Sequence, residues 1–491
     1  MVNNHTPISM KTLPLHLSLL LLAAGCATQS EPSISESRAQ AAAAGGCDVV
    51  VGGVVPASEA LAQTQAKPSA LVRLDGTLSL ADAIEVGLTN NLSLFTTRLT
   101  RDSAEGAYEE ALGAALPNLS LSAGYTGDLI EREKDIQPDR MSVGLTLKQP
   151  IYRSGIIGKG IEYAKYYRES VDLAIRDAEQ TVIYQIAAQY LTVLYEQKMV
   201  EVYEGAVGTA ERLKTTTESR RRAGTASQYE MLRAEVEVTS SNAQLISERN
   251  KLRTARVTLF KLLGVDQSSE VTLSDDLVYV AEAFDADAMV ARAFEFRPDL
   301  AQAEANVRMA RLQLGIVKGQ YGLFVDGVAS GSYATANPND QTDDGWDFDA
   351  SVGVTASYSL YDGTTKRGKI AQARAKLVQA AAALRSAEED ARVAVISAVL
   401  DVNDTEELYL SQQKNIQTTE EAKRMIESGY KQGRNTQVEV LDAQSALTSA
   451  MGNYYDAIRS HSMAALGLRR NVGVLTAADA AAYVRELNVE R

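Results

Sequence analysis

The sequence predicts an α+β membrane protein built as a two-fold internal repeat. Each repeat would hold short helices, a strand pair and a very long helical hairpin. Three observations carry this reading. An eleven-residue stretch recurs at long range, the apolar period switches twice from helical to two, and each switch precedes a proline-free helical run longer than globular domains use.

In chain order, the first segment is an export signal. Met10 and Lys11 precede an apolar run from Leu13 to Ala24, which ends in Leu22-Ala-Ala-Gly-Cys26. A positive residue, a short apolar core and small residues before a cut site make a secretory signal. Residues 1–25 therefore read as a signal peptide starting at Met1 or Met10. The cysteine directly after the cut resembles a bacterial lipobox, although Ala23 stands where that motif usually has Leu. Cys26 is the expected lipidation site, and Cys47 is then left without an intramolecular partner. A plain signal cut near Ala24 is the alternative. Residues 26–74, rich in Ser, Ala, Gln and Gly, read as an export linker with little regular structure.

The first repeat spans 75–270. Leu78 to Ile84 opens a short helix with Ser79 as N-cap, and a second helix runs from about Leu92 to Leu116, stopping before Pro117. Then Leu119, Leu121, Ala123 and Tyr125 alternate with small polar residues. After a charged loop, Asp128 to Arg140, Met141, Val143, Leu145 and Leu147 do the same. Each run is about the length of a tilted membrane strand, roughly 9–11 residues. One face is apolar and the other small and polar, as a strand between lipid and a wet lumen requires. Two ordinary hairpins on a soluble core would read almost identically. Gly155 to Arg222 contains no Pro and as a helix would be about 100 Å long. Ile186, Val193, Val200 and Val207 recur at a spacing of seven. The run breaks at Gly224, which suits the left-handed position that ends a helix. It resumes over Ser227 to Leu263, with Thr225 or Ser227 able to cap it.

A connector, 271–284, leads to the second repeat, 285–475. Asp285 to Phe296 and Asp299 to Gln320 are helical, Leu323 to Tyr333 is a weak strand with Asp326 blurring its phase, and Phe348 to Leu360 is the clearest strand. Ile370, Leu377, Leu384, Ala391 and Ala398 interleave with Ala373, Ala380, Ala387 and Ala394, a seam that needs a partner along its length. The helix breaks at Gly433 and resumes over Thr436 to Val472. Gly224-Thr-Ala-Ser-Gln-Tyr-Glu-Met-Leu-Arg-Ala234 returns here as Gly433-Arg-Asn-Thr-Gln-Val-Glu-Val-Leu-Asp-Ala443, 209 positions later. The same offset places Gly264 on Gly473 and Tyr152 on Tyr361. Residues 476–491 form a C-terminal tail.

Composition limits the functions available. A net charge of −14 argues against nucleic acid as a partner. Beyond the signal no stretch approaches 18 apolar residues, so a membrane crossing would have to be a closed β-barrel. Enzyme chemistry has little to work with. His5 and His16 lie in the signal, leaving His461, and there is no metal-ligand spacing, nucleophile triad or phosphate loop. Glu388-Glu389-Asp390 reads as a solvated charge run.

The order of lipobox, short helix, strand pair and long hairpin, given twice, resembles the TolC-like outer-membrane efflux proteins, particularly their lipid-anchored branch. So do the tip pattern Gly-x-x-[ST]-x-x-[DE]-x-x-x-Ala and Arg297-Pro-Asp-Leu300. The resemblance covers about 75–475. It implies a homotrimer whose subunits each give four strands to one outer-membrane β-barrel, continued by a long periplasmic α-helical barrel. It also implies passive conduction of substrate from an inner-membrane pump and a periplasmic adaptor protein, with no cofactor beyond the lipid on Cys26.

Glu439 and Asp442 lie three apart on one helix and share a face. The resemblance places them as acidic rings at a narrow periplasmic gate, a suitable device for a selective constriction. It makes Glu230 and Tyr430 latch residues. The family's basic latch position holds Asn435 here, with Arg434 beside it as candidate. It also makes Gly224, Thr225, Ala226, Ser227, Gly433, Arg434, Asn435 and Thr436 the adaptor-docking tips. The alternatives are a non-conducting periplasmic coiled-coil lipoprotein and the duct of a type I protein secretion system.

Overall fold

The computed structural model describes residues 73–126, 140–335 and 346–486. Cys26, Cys47, the signal, nearly all of the linker and the charged loop from Asp128 lie outside them. The first repeat holds β1 (Asp75–Leu78), α1 (Leu80–Asn90), α2 (Leu92–Gly113), β2 (Asn118–Thr126), β3 (Arg140–Arg153), α3 (Ile156–Arg222) and α4 (Gln228–Leu263). Then follow β4 (Glu270–Leu273), β5 (Asp275–Leu277), α5 (Ala286–Phe296), α6 (Pro298–Gly319), β6 (Phe324–Thr335) and β7 (Trp346–Ser357). The chain continues through α7 (Thr365–Lys431), α8 (Gln437–Val472), α9 (Ala477–Ala481) and β8 (Val484–Glu486).

The helices match in pairs: 11 residues for α1 and α5, 22 for α2 and α6, 67 for α3 and α7, 36 for α4 and α8. One offset does not serve throughout. α1 and α2 recur 206 residues later (80 to 286, 92 to 298), whereas α3 and α4 recur after 209 (156 to 365, 228 to 437). The change falls between β2 and α3, where the connection between the paired strands differs in length.

Four strands form one antiparallel sheet in the order β2-β3-β6-β7, so the two repeats meet at the β3–β6 pair and β2 and β7 are open edges. Leu119, Leu121, Met141, Val143, Val352 and Val354 are exposed on it, as the alternation implies. β3 runs six residues past Leu147, the last apolar residue of the expected alternation, because β6 pairs with it as far as Arg153, through an irregularity between Pro150 and Tyr152. β7 stops at Ser357, short of the expected Leu360, because its partner β6 begins at Phe324, directly opposite Ser357. Asp326 breaks the phase of β6 because its buried carboxylate takes Arg153 at 2.8 Å and Lys148 at 3.3 Å.

The strand sheet hands over to long helices, and the main core lies partway along them. There Ile186, Tyr190, Leu191 and Val193 of α3 meet Leu259 and Leu263 of α4, Val395 and Val402 of α7, and Leu466 and Leu468 of α8. Two small sheets clamp this region. β1 pairs parallel with β4, and β5 pairs antiparallel with β8. The connector and the C-terminal tail are therefore structured parts of the core, and β1 precedes the helix expected to begin the ordered region.

Buried polar groups set the geometry. The Asp275 carboxylate accepts from the Leu80 N–H and the Tyr190 hydroxyl, both at 2.8 Å. Burial and this carboxylate push the Tyr190 phenol well above its ordinary pKa. Arg469 bridges Glu282 and Asp479, and the buried Tyr483 donates to Glu282 at 2.8 Å, tying the tail to α8. Arg297-Pro-Asp-Leu300 now has a structural role. Pro298 opens α6, Arg297 makes a two-pronged pair with Asp299 at 2.9 and 2.7 Å, and it also donates to Asn471 O at the end of α8.

Along α7 the alanine seam is visible as burial. Ala373, Ala391 and Ala398 are buried and Ile370, Leu377 and Leu384 half-buried in a helix otherwise mostly exposed. On α3, Ile186, Val193 and Val207 are buried, but Val200 is only half so, its place taken by Met199.

Glycines at equivalent positions do different work. Gly224, Gly433, Gly264 and Gly473 all have positive φ. A Cβ on Gly264 would lie 2.2 Å from Asn90 O, and one on Gly473 2.8 Å from Arg297 Cα, whereas Gly224 and Gly433 face open space. Gly433→Ala should therefore cost about 1–2 kcal/mol, the left-handed backbone penalty alone. Gly264→Ala adds a backbone clash and should lose at least twice as much, read as thermal midpoint shifts of the two purified variants.

Candidate functional site

Both hairpins turn in the same way. At the first tip, Gly224 N–H donates to Arg221 O at 2.9 Å and Thr225 N–H to Arg220 O at 2.8 Å. At the second, Gly433 N–H donates to Tyr430 O at 3.0 Å and Arg434 N–H to Gly429 O at 2.8 Å. This paired pattern around a left-handed glycine satisfies the carbonyls that a helix end leaves open. The next helix then starts on a reciprocal cap. The Ser227 hydroxyl accepts from Glu230 N–H at 3.1 Å, while the Glu230 carboxylate accepts from Ser227 N–H at 2.6 Å. Thr436 and Glu439 repeat this at 3.3 and 2.7 Å. Ser-x-x-Glu and Thr-x-x-Glu were readable as capping boxes in the sequence.

The expected gate residues thus have local duties. Glu439 is exposed and accepts from the Thr436 backbone and from Asn435 Nδ2 at 3.0 Å. These bonds hold its carboxyl below the ordinary carboxylate range, the Thr436 N–H contributing most. Asp442 is exposed one turn further along the same face. The chain brings the two together as the spacing requires, and Asn435, beside the latch candidate Arg434, is tied to Glu439.

The latch candidates are not joined to one another among the described residues. Glu230 is engaged in its cap. Tyr430 is buried with Leu213 of α3 and Val440 of α8, and the Arg220 guanidinium lies over its ring at 5.2 Å. Arg434 points back to Gln432. Tyr430 therefore joins the second hairpin to the first through α3, with Arg220 as its cationic neighbour. Sequence reading missed Arg220, because nothing local links it to a tyrosine on another hairpin.

The same seam carries orphaned polar atoms. Gln437 is 4% exposed and Thr217 1% exposed. The Gln437 amide oxygen and nitrogen and the Thr217 hydroxyl have no hydrogen-bond partner among the described residues. Each such group costs about 1–3 kcal/mol when buried unsatisfied, so the α3–α8 seam near the tips is held more weakly than its burial implies.

The docking candidates lie on the two turns. Gly224, Thr225, Ser227, Gly433, Arg434 and Thr436 are exposed and Ala226 and Asn435 half-buried. Beside the second turn is a cleft of about 510 Å³ lined by Arg424, Met425, Ser428, Gly429, Arg434 and Asn435. Gly429 gives the Asn435 side chain its room there, since a Cβ would displace the Asn435 amide.

His461 is wholly buried, near Val280 O (3.1 Å from Nε2) and Thr405 Oγ1 (3.4 Å from Nδ1), with Tyr279 against its ring. No cluster of three metal-ligating side chains occurs among the described residues. His461 thus has a packing role.

Capping gives a direct test. Thr436→Ala should weaken the first turn of α8 by about 1 kcal/mol, seen as roughly fivefold faster amide hydrogen exchange there. Because the Glu439 pKa is depressed, its share of the cap is fully present above the ordinary carboxylate pKa and lost as pH falls through the lowered value. The protection of the same amides, taken relative to the slowing of intrinsic exchange in acid, should therefore fall on acidification in the wild type but not in Glu439→Ala.

Comparison with known proteins agrees with this architecture. The family model for the outer membrane efflux protein matches residues 83–265 and 289–474, one segment in each repeat. The chain is 24% identical over 417 residues to the outer membrane protein TolC of Vibrio cholerae, covering 82% of this chain and 92% of that protein. It is 22% identical to the pyoverdine export outer membrane protein OpmQ of Pseudomonas aeruginosa, covering 74% and 76%. Among solved structures, the open state of the MtrE outer membrane channel of Neisseria gonorrhoeae superposes with a TM-score of 0.67 at 18% identity, over 81% of this chain and 91% of that one. A membrane protein from Pseudomonas aeruginosa gives 0.69 at 19%, over 80% and 93%. The chain belongs to the outer membrane efflux protein family.

Proposed function

We propose that three copies of this chain form a passive duct through the outer membrane and across the periplasm, receiving substrate from an inner-membrane pump through a periplasmic adaptor. The observation that carries this reading is the four-stranded sheet with two open edges set directly on two helical hairpins. Four strands cannot close a pore, and lipid leaves no water to satisfy an open edge. Further copies supply the missing pairs. A periplasmic tether has no use for such a sheet, which disfavours the non-conducting lipoprotein.

The tips form the periplasmic entrance in this reading. Three copies turn Glu439 and Asp442 into two stacked acidic rings, and the exposed turns with their cleft receive the adaptor. Opening detaches the second hairpin tip from α3. The orphaned polar atoms of Gln437 and Thr217 lower the cost of that movement, and Arg220 on Tyr430 opposes it. Adaptor contact biases the two states. Energy comes from the pump, and the lipid on Cys26 adds an anchor in the outer membrane.

Purified protein in planar bilayers should show small cation-selective conductance. Glu439→Gln with Asp442→Asn should lower the cation preference severalfold, and Arg220→Ala should raise the conductance. Failure of all of these proteins to conduct would refute the duct. Separately, palmitate should label the mature protein and not Cys26→Ser; persistent label would refute the anchor.

A further inference from the structure

The four-stranded sheet carries exposed aromatic side chains at both ends. Tyr125, Tyr333 and Phe348 lie at one end, and Tyr152, Tyr358 and Tyr361 at the end that leads into the helices. Aromatic girdles of this kind stand where the apolar band of a barrel meets water. Phe348 and Tyr358 are ten positions apart. At about 3.3 Å per residue and a tilt of about 40° they are separated by roughly 25 Å, the height of such a band.

The second girdle puts the water boundary just before α7, and there the charge of the chain changes sign. From Thr365 to Ala387, α7 holds Lys366, Arg367, Lys369, Arg374, Lys376 and Arg385 and no acid, although the protein as a whole stands at −14. The matching stretch of α3 is balanced, with Lys159, Lys165, Arg168 and Arg176 set against Glu162, Glu169, Asp172 and Asp177. The repeat therefore does not dictate the basic run. Its cations from Lys366 to Lys376 are exposed. Among the described residues the first ion pair along α7 is Arg385 with Glu389.

Three of these cations share a cleft of about 560 Å³. Lys366, Arg367 and Arg374 line it together with Tyr361, Ile370 and Ala371. The one acid there, Asp362, accepts from the Lys366 backbone N–H at 2.6 Å. The Lys366 ammonium lies over the Tyr321 ring at 5.6 Å. Leu360, next in the chain to Tyr361, is 92% exposed. Side chains of a helix lean toward its N-terminus, which here is the side of the girdle. Lys366 and Arg367 stand in the first turn of α7, and Arg374 about 13 Å along it. Each headgroup layer of a bilayer is roughly 5–8 Å thick, so long side chains leaning back reach it. The cleft thus offers cations above an apolar floor, beside an apolar strand face. A free anion would leave the floor unused, and an uncharged lipid would leave the cations unused.

We propose that this cleft seats the headgroup of an anionic phospholipid from the leaflet facing the periplasm. Its phosphodiester oxygens lie among Lys366, Arg367 and Arg374, and an acyl chain runs along Leu360 and Tyr358. The site goes beyond the duct and rests on the apolar face of the sheet lying in lipid. One such lipid on each subunit fixes the depth at which the strands give way to the helices.

The test uses full-length protein purified in detergent and stripped of lipid, followed by native mass spectrometry. Phosphatidylglycerol should bind in preference to phosphatidylcholine, one per subunit, and more weakly as salt rises. Lys366→Gln/Arg367→Gln/Arg374→Gln should lower its affinity roughly a hundredfold. Lys366→Arg/Arg367→Lys/Arg374→Lys should bind as the wild type, and so should Arg253→Gln/Arg385→Gln/Lys414→Gln, which removes three exposed cations elsewhere. The same spectra report whether each variant has assembled. Equal binding of the two lipids, or unchanged phosphatidylglycerol affinity in the first variant, would overturn the site. Displacement of the lipid by inorganic phosphate would overturn it in favour of a free anion. Binding to monomers alone would overturn it in favour of a neighbouring copy filling the cleft. A protein that binds phosphatidylglycerol here but never conducts keeps the site and loses the duct.

Discussion

The region where the helices cross the main core is the constraint on which the other parts depend. Helices about 100 Å long with so many alanines bury little area per turn, and over much of α7 only a thin seam is covered. Their relative positions must be fixed somewhere. Asp275 does this by holding the start of α1 and Tyr190 of α3 on one carboxylate, away from water. Gly264 and Gly473 let the ends of α4 and α8 touch the backbone that joins α1 to α2 and α5 to α6. Removing an acceptor from two buried donors, or adding a methyl against a carbonyl, has no local remedy. A small error there is multiplied along the helices by their length.

Distance from this anchor explains the contrast with the tips. There the chain relies on local bonds: a paired glycine turn, a capping box, a cation over a tyrosine. Such devices keep each turn intact while leaving hairpin-to-hairpin contact weak. The buried but unpartnered atoms of Gln437 and Thr217 fit a seam that is not meant to be permanent. The Glu439 carboxylate serves both purposes, because accepting hydrogen bonds from Thr436 and Asn435 favours its charged form while leaving it in contact with solvent.

Period and punctuation made most of the architecture legible in the sequence. Strand alternation, the proline-free runs and the glycines at 224 and 433 are local signals, and each element they imply occurs near its expected bounds. What escaped depends on residues distant in the chain. The small strands β4, β5 and β8 are three or four residues each, too short for a period. The end of β7 is set by where its neighbour β6 begins, at Phe324, and not by its own residues. At the tips, Glu230 was read only as a latch group, although Ser227 three residues before it announced a cap. Arg220 became visible only when α3 and α7 were seen side by side.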